Sequence, residues 1–241
     1  MLKKYWSIVL FTVGMFFLAA LVNILLEIVS GVAHIPEVYG SYIQYIIIMI
    51  LYVYINRKWV HQEIHFKSKV PWKEQIPGLI FIVGDIIYLF STNSDFEMYV
   101  TGIGYSIGSA VTEEYFIRGI VLIALLHLAK DKGVWGTLLA IFISSVLFGA
   151  MHIITMLANQ LGWGEIITAF SMGMVYAALY IATGTILWPM FIHLVQDLVV
   201  YLLPHSNFTM PTIWYFVVCL SITLIILIPY FRREDNQVFY S

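Results

Sequence analysis

Polar residues interrupt this chain only at long intervals, and the stretches between them are apolar for about 15 to 30 residues at a time. A bilayer core about 30 Å thick takes about 20 apolar residues as a helix, and a helix satisfies its own backbone where no water can. Such runs cover residues 6–28, 39–55, 76–90, 100–129, 134–158, 165–182, 185–203 and 212–231. The third is short, and only Thr183 and Gly184 separate the sixth from the seventh. The pattern predicts an all-α fold, a polytopic transmembrane bundle of about eight helices.

Charge adds an orientation. Lysine and arginine concentrate in cytoplasmic loops. Lys3 and Lys4 precede the first run, Arg57, Lys58, Lys67, Lys69 and Lys73 follow the second, Lys130 and Lys132 follow the fourth, and Arg232 and Arg233 follow the eighth. The loops at 30–37, 91–97, 159–164 and 204–210 hold none. An even number of crossings with both termini cytoplasmic accounts for eleven of the twelve basic residues. The first run is long and lacks a convincing small-x-small cleavage site before a polar mature start, so it is expected to stay as a helix.

Composition agrees with a membrane chain. Of 241 residues 61% are hydrophobic and 11% charged, against roughly 25% charged in a soluble domain. Mean hydropathy is +0.89. No repeat or linker divides residues 1–241, which read as one integral membrane domain. A net charge of -2 gives no reason to expect a nucleic-acid partner. The single Cys219 allows neither a disulfide framework nor a zinc-thiolate site.

The twelfth basic residue, Arg118, lies in mid-run in Glu113-Glu114-Tyr115-Phe116-Ile117-Arg118. Each ionisable group at the centre of a span costs about 2.5 to 3.5 kcal/mol, so three in six residues need partners or water. Glu114 and Arg118 stand about 40° apart on an ideal helix and suit an ion pair, whereas Glu113 is about 140° from Arg118. Glu113, with no cation on its own face, is the carboxylate available for general-base work. Two further runs carry ionisable groups: Phe148-Gly149-Ala150-Met151-His152, and His193-Leu194-Val195-Gln196-Asp197, where His193 and Asp197 share a face. One histidine in an apolar helix is ordinarily a hydrogen-bonded packing residue. Three helices each carrying such groups point to one shared site.

In this order, Glu113-Glu114-x-x-x-Arg118, Phe148-x-x-x-His152 and His193-x-x-x-Asp197 resemble the three motifs of the CAAX protease and bacteriocin-processing family, also called CPBP or Abi. The motifs fall in a core at about 100–203. The resemblance implies an intramembrane glutamic endopeptidase in which Glu113 and His152 activate water and His193 with Asp197 stabilises the oxyanion. Glu114 and Arg118 would supply structural and electrostatic support. Many family members have Asn where this chain has Asp197. An ionised carboxylate repels an oxyanion, so Asp197 is either protonated or orients His193, which then donates; the second is preferred. The implied partners are the lipid bilayer and a membrane-embedded or lipid-associated peptide substrate. A bacterial plasma membrane is the expected location, and no cofactor is expected.

Two other functions stay open. Glu, His and Asp are competent zinc ligands, so a metal-dependent hydrolase is an alternative, although no His-Glu-x-x-His signature occurs. Intramembrane acids also mark transport paths, so a non-catalytic immunity or transport protein is another. Among the smaller features, Pro189 is expected to kink the helix beside His193. Gly104-x-x-x-Gly108 and Ser145-x-x-x-Gly149 suit close packing of the fourth and fifth helices. Asp85, Asn23 and Glu27 suggest interhelical hydrogen bonds or cavity lining, and His127 should lie near the cytoplasmic end. The 57–73 segment, basic and aromatic, suggests contact with anionic lipid. Counted at 1.5 Å per residue, Glu113 and His152 come out roughly 24 to 27 Å from the assigned cytoplasmic ends and His193 only about 12 Å.

Overall fold

The structure, a computed structural model, describes residues 2–68, 70–90, 96–158, 160, 162–202 and 211–232. These residues form helices α1 (Leu2–Val32), α2 (Glu37–Ile55), α3 (Ile76–Phe90), α4 (Phe96–Glu114), α5 (Ile123–Ala129), α6 (Gly133–Ala158), α7 (Gly164–Thr183), α8 (Leu187–Leu202) and α9 (Thr212–Arg232), with no strand among them. A π-helical segment, Tyr115–Leu122, joins α4 to α5 without a break, and a shorter one, Asn56–Val60, extends α2. Lys69 and Arg233 of the basic pattern, and loop residues 91–95, 159, 161 and 204–210, lie outside the described residues.

Among the described residues, five stretches are long and apolar enough to cross a membrane: Lys3–Val32, Val38–Val60, Phe96–Leu157, Gly164–Thr183 and Thr212–Arg232. The eight apolar runs map onto fewer stretches for two reasons. Runs four and five are separated only by the turn Lys130–Lys132, after which Gly133 takes φ 55° and α6 folds back on α5 and the π segment. Helices α3 and α8, of 15 and 16 residues, fall short of the about 20 a straight crossing needs.

Burial sets the layers. In α7 72% of the crossing-length window is buried, in α1 only 11%, so α7 is the central post and α1 lies at the periphery. Helices α6, α8 and α9 pack on α7, while α4 packs on α2 and α8. Small residues bring them together. A Cβ on Gly104 would meet the Tyr42 hydroxyl at 2.1 Å, and one on Gly108 the Tyr45 ring at 2.1 Å. The first small-residue pair therefore seats α4 on α2, not on α6. The second serves another contact: Gly149 lies against the Ile166 carbonyl and Phe170, and Gly173 against Ser145 and Phe148, so α6 meets α7 there.

The connection from α7 to α8 is buried beneath another segment. Helix α7 ends at Gly184, whose φ of 67° lets its N–H return to the Tyr180 carbonyl. Thr183, Thr185 and Ile186 are all buried. The chain following α2 lies across them as a strap. Ile186 N–H donates to the His65 carbonyl (2.9 Å), Thr185 Oγ1 to the Phe66 carbonyl (2.8 Å), and Ser68 Oγ and Gln75 Nε2 to the Thr183 carbonyl (2.7 and 3.0 Å). Trp188 Nε1 donates to Gln75 Oε1 at 2.7 Å. Trp59, Phe66 and Trp72 stay exposed on the strap together with Arg57, Lys58, Lys67 and Lys73, the disposition an interfacial segment needs, while Ser68 and Gln75 bond the turn.

The depth of His193 is counted from the start of α8; the turn before it lies beneath the strap, so that start is not the outermost layer at this end of the bundle. Pro189 is also reassigned: as the third residue of α8 it sits in the first turn, where a missing N–H breaks no helical bond. Asn23 and Glu27 are exposed on α1.

Candidate active site

The first motif straddles a change of helix type, because α4 ends at Glu114 and the π segment begins at Tyr115. Such segments recur at functional sites. Glu114 and Arg118 are both wholly buried, and Arg118 Nη1 donates to Glu114 Oε1 at 2.8 Å. Arg118 Nη2 donates to the Gly173 carbonyl of α7 at 3.2 Å. The guanidinium also lies 4.1 Å from the Phe148 ring centroid and 5.2 Å from that of Tyr176. The close approach of α6 and α7 at Gly173 thus gives the cation one carboxylate, one carbonyl and two ring faces. Removing one partner of a buried pair costs about 3 to 5 kcal/mol, so this arrangement fixes the helices around it.

His193 of α8 completes the link. Its Nδ1 lies 3.0 Å from Glu114 Oε1, so Glu114 serves both Arg118 and His193. Spacing along one helix could show only the first of these partners. Nε2 of the same ring faces two other carboxylates, Asp197 Oδ1 at 3.4 Å and Glu113 Oε2 at 4.0 Å. Glu113 Oε1 accepts from Ser109 Oγ at 3.2 Å, while Glu113 Oε2, Glu114 Oε2 and Arg118 Nε are buried atoms without a hydrogen-bond partner. Glu113 and Asp197 keep partial exposure, 23% and 33%, against 5% for His193. The two carboxylates with access to the exterior are therefore the ones bordering Nε2.

His152 stands one residue back from this group. Its Nδ1 meets the Phe148 carbonyl at 3.0 Å, its ring is edge-on to Phe148 at 5.0 Å, and no direct hydrogen bond or ion pair joins it to Glu113. Phe148 is the common neighbour, since its ring also meets Arg118 and, at 5.7 Å, His193. The structure thus links Arg118, Glu114, His193, Glu113 and Asp197 through Glu114 and His193, and seats His152 beside them.

Other residues join that the motifs did not indicate. Tyr176 of α7 stacks on His193 with centroids 5.0 Å apart and planes 21° from parallel, and its hydroxyl donates to Gln196 Oε1. Asp85 of α3 is half-buried, and its Oδ2 has no hydrogen-bond partner, so the interhelical hydrogen bond its position suggested is not made by that oxygen. From α2, Tyr52 stacks on Phe116 at 4.5 Å. Gln196 was visible inside the third motif, but Tyr176 sits in a run where any aromatic reads as core. His127 lies apart from the site, with Nδ1 3.1 Å from Gln62 Oε1 on the strap. Among the described residues no group of three His, Cys, Asp or Glu side chains is arranged to hold a metal ion.

A bundle of membrane-length apolar helices enclosing a buried carboxylate, arginine and histidine cluster defines a multi-pass membrane protein with its polar site inside the helices. Residues 95–199 match the family model described as Rce1-like, type II CAAX prenyl endopeptidase, so this part of the chain is similar to the CAAX proteases. The matched segment runs from the start of α4 through α8 and contains every residue of the cluster. No curated protein and no solved structure matches the chain.

Proposed function

We propose that the protein is an intramembrane endopeptidase that hydrolyses a peptide bond in a membrane-associated peptide, with water activated by Glu113 and His152. The observation that carries this reading is the position of His193, whose Nδ1 is held by Glu114 while Nε2 borders Glu113 and Asp197. In the proposed step Glu113 Oε2, which has no hydrogen-bond partner, takes a proton from water and the oxygen attacks the scissile carbonyl carbon. The carbonyl oxygen becomes an oxyanion beside His193 Nε2, where a donor is worth most in a water-poor site. Collapse breaks the C–N bond, and the departing amine takes the proton from Glu113 or His152. Asp197 orients His193, and Arg118 pairs with Glu114.

Both termini are assigned to the cytoplasm and eight helices to the bilayer, with the short α3 and α8 completing the bundle. A bacterial plasma membrane suits this topology. The matched family's description makes a prenylated C-terminal peptide one candidate substrate, and an unprenylated membrane peptide the other.

The test is cleavage of matched prenylated and unprenylated peptides by purified protein in detergent, comparing wild type with Glu113→Ala. The variant is expected to lose at least about 100-fold in kcat while unfolding at the wild-type temperature, as removal of a general base requires. Activity that survives in Glu113→Ala would overturn the assignment. Chelator treatment is expected to leave wild-type cleavage unchanged, and loss of activity restored by zinc would favour the metal-dependent reading.

A further inference from the structure

An imidazole hydrogen-bonded at one nitrogen can still turn over, exchanging the ring edge it presents, unless something holds its plane. For His193 the orientation matters, because only one way round sets Nδ1 on Glu114 and Nε2 beside Glu113 and Asp197. Tyr176 lies flat on the imidazole, 5.0 Å between centroids and 21° between planes, while Phe148 meets it edge-on at 84°. Tyr176 is itself immobilised. It is 2% exposed, its ring faces the Arg118 guanidinium at 5.2 Å, and its hydroxyl is bound by Gln196.

Gln196 follows His193 by three residues on α8, so the tyrosine that covers the imidazole is anchored to the same helix turn that carries it. A purely space-filling aromatic would not need that hydroxyl contact. The arrangement closes a ring of contacts from His193 to Tyr176 to Gln196 and back along α8.

We propose that Tyr176 is a positioning residue that locks the His193 ring, holding Nδ1 on Glu114 and Nε2 toward the space bordered by Glu113 and Asp197. The proposal rests on the peptidase reading for its kinetic consequence only. Misplacing a transition-state donor lowers kcat and leaves substrate binding nearly untouched.

The test combines ring-nitrogen NMR of protein labelled with 15N-histidine, in detergent, with steady-state kinetics. His193 signals are assigned by their loss in His193→Gln. Wild type and Tyr176→Phe, which keeps the stacked ring, are expected to show one set of His193 signals. Tyr176→Leu is expected to show two sets or exchange broadening. In kinetics Tyr176→Leu should lose about 100-fold in kcat with KM within about twofold, and Tyr176→Phe should recover to within about fivefold of wild type. Should the Leu variant not fold, Tyr176→Met refills the volume without a ring face and is read in the same way. A single, unshifted set of His193 signals in the folded Leu or Met variant overturns the proposal, as does wild-type kcat. The NMR arm needs no substrate. If Glu113→Ala retained activity the peptidase reading would fall, while the locking of His193 would still be decided by its own signals.

Discussion

Asp197 Oδ1 lies 3.4 Å from His193 Nε2 on the same face of α8, so an asparagine there keeps an oxygen able to accept from the ring while removing the negative charge. Asp197→Asn is therefore expected to retain at least about a tenth of wild-type kcat. His193→Ala, which removes the donor at a developing oxyanion, should lose about 100- to 1000-fold. Peptide cleavage by the two purified variants checks this, and an inactive but folded Asn variant would sink the orienting role given to Asp197. At this scale the charged residues were legible because each is expensive in an apolar helix and stands out for that reason. The double duty of Glu114 was not, since its second partner is 79 residues away. Ser109 and Tyr176 were hidden for the opposite reason: both residue types are cheap in a membrane helix and raise no signal.

Helix packing makes its own prediction through two glycines of one residue type but opposite surroundings. A Cβ at Gly108 would come within 2.1 Å of the Tyr45 ring, whereas one at Gly14 meets nothing within 4 Å. Gly108→Ala must push α2 and α4 apart and is expected to cost about 1 to 3 kcal/mol. Gly14→Ala adds only a better helix former and should be neutral or stabilising by up to about 1 kcal/mol. Thermal unfolding in detergent separates the two, and equal effects would contradict the packing. The apolar runs located these helices well, because length and hydropathy follow from the thickness of the bilayer. Two features escaped them. A π segment and an α-helix use the same apolar residues with a different hydrogen-bond register, so Tyr115–Leu122 has no composition of its own. The recessed α7–α8 turn depends on what covers it, and that cover comes from a distant part of the chain.

The whole bundle carries an orientation that chemistry can read directly. With the buried Cys219 replaced by serine, a cysteine at Asp131 and one at His34, both exposed positions, should lie on opposite sides of the membrane. A membrane-impermeant maleimide is expected to label His34→Cys in intact cells and Asp131→Cys only after permeabilisation. Labelling of both from one side would refute the assigned topology. The strap raises a question of timing as well as of place. Its partners at Tyr180, Thr183, Thr185 and Trp188 follow it by 108 to 119 residues. At about 5 to 20 residues per second of synthesis, the strap waits roughly 5 to 25 s without its partners on α7 and α8. Only when α8 has been made can it close. For that interval the nascent chain leaves unbonded the strap carbonyls and side chains that the finished protein ties to the α7–α8 turn, so a protease or chaperone that surveys membrane insertion has a physical means of telling an unfinished copy from a complete one.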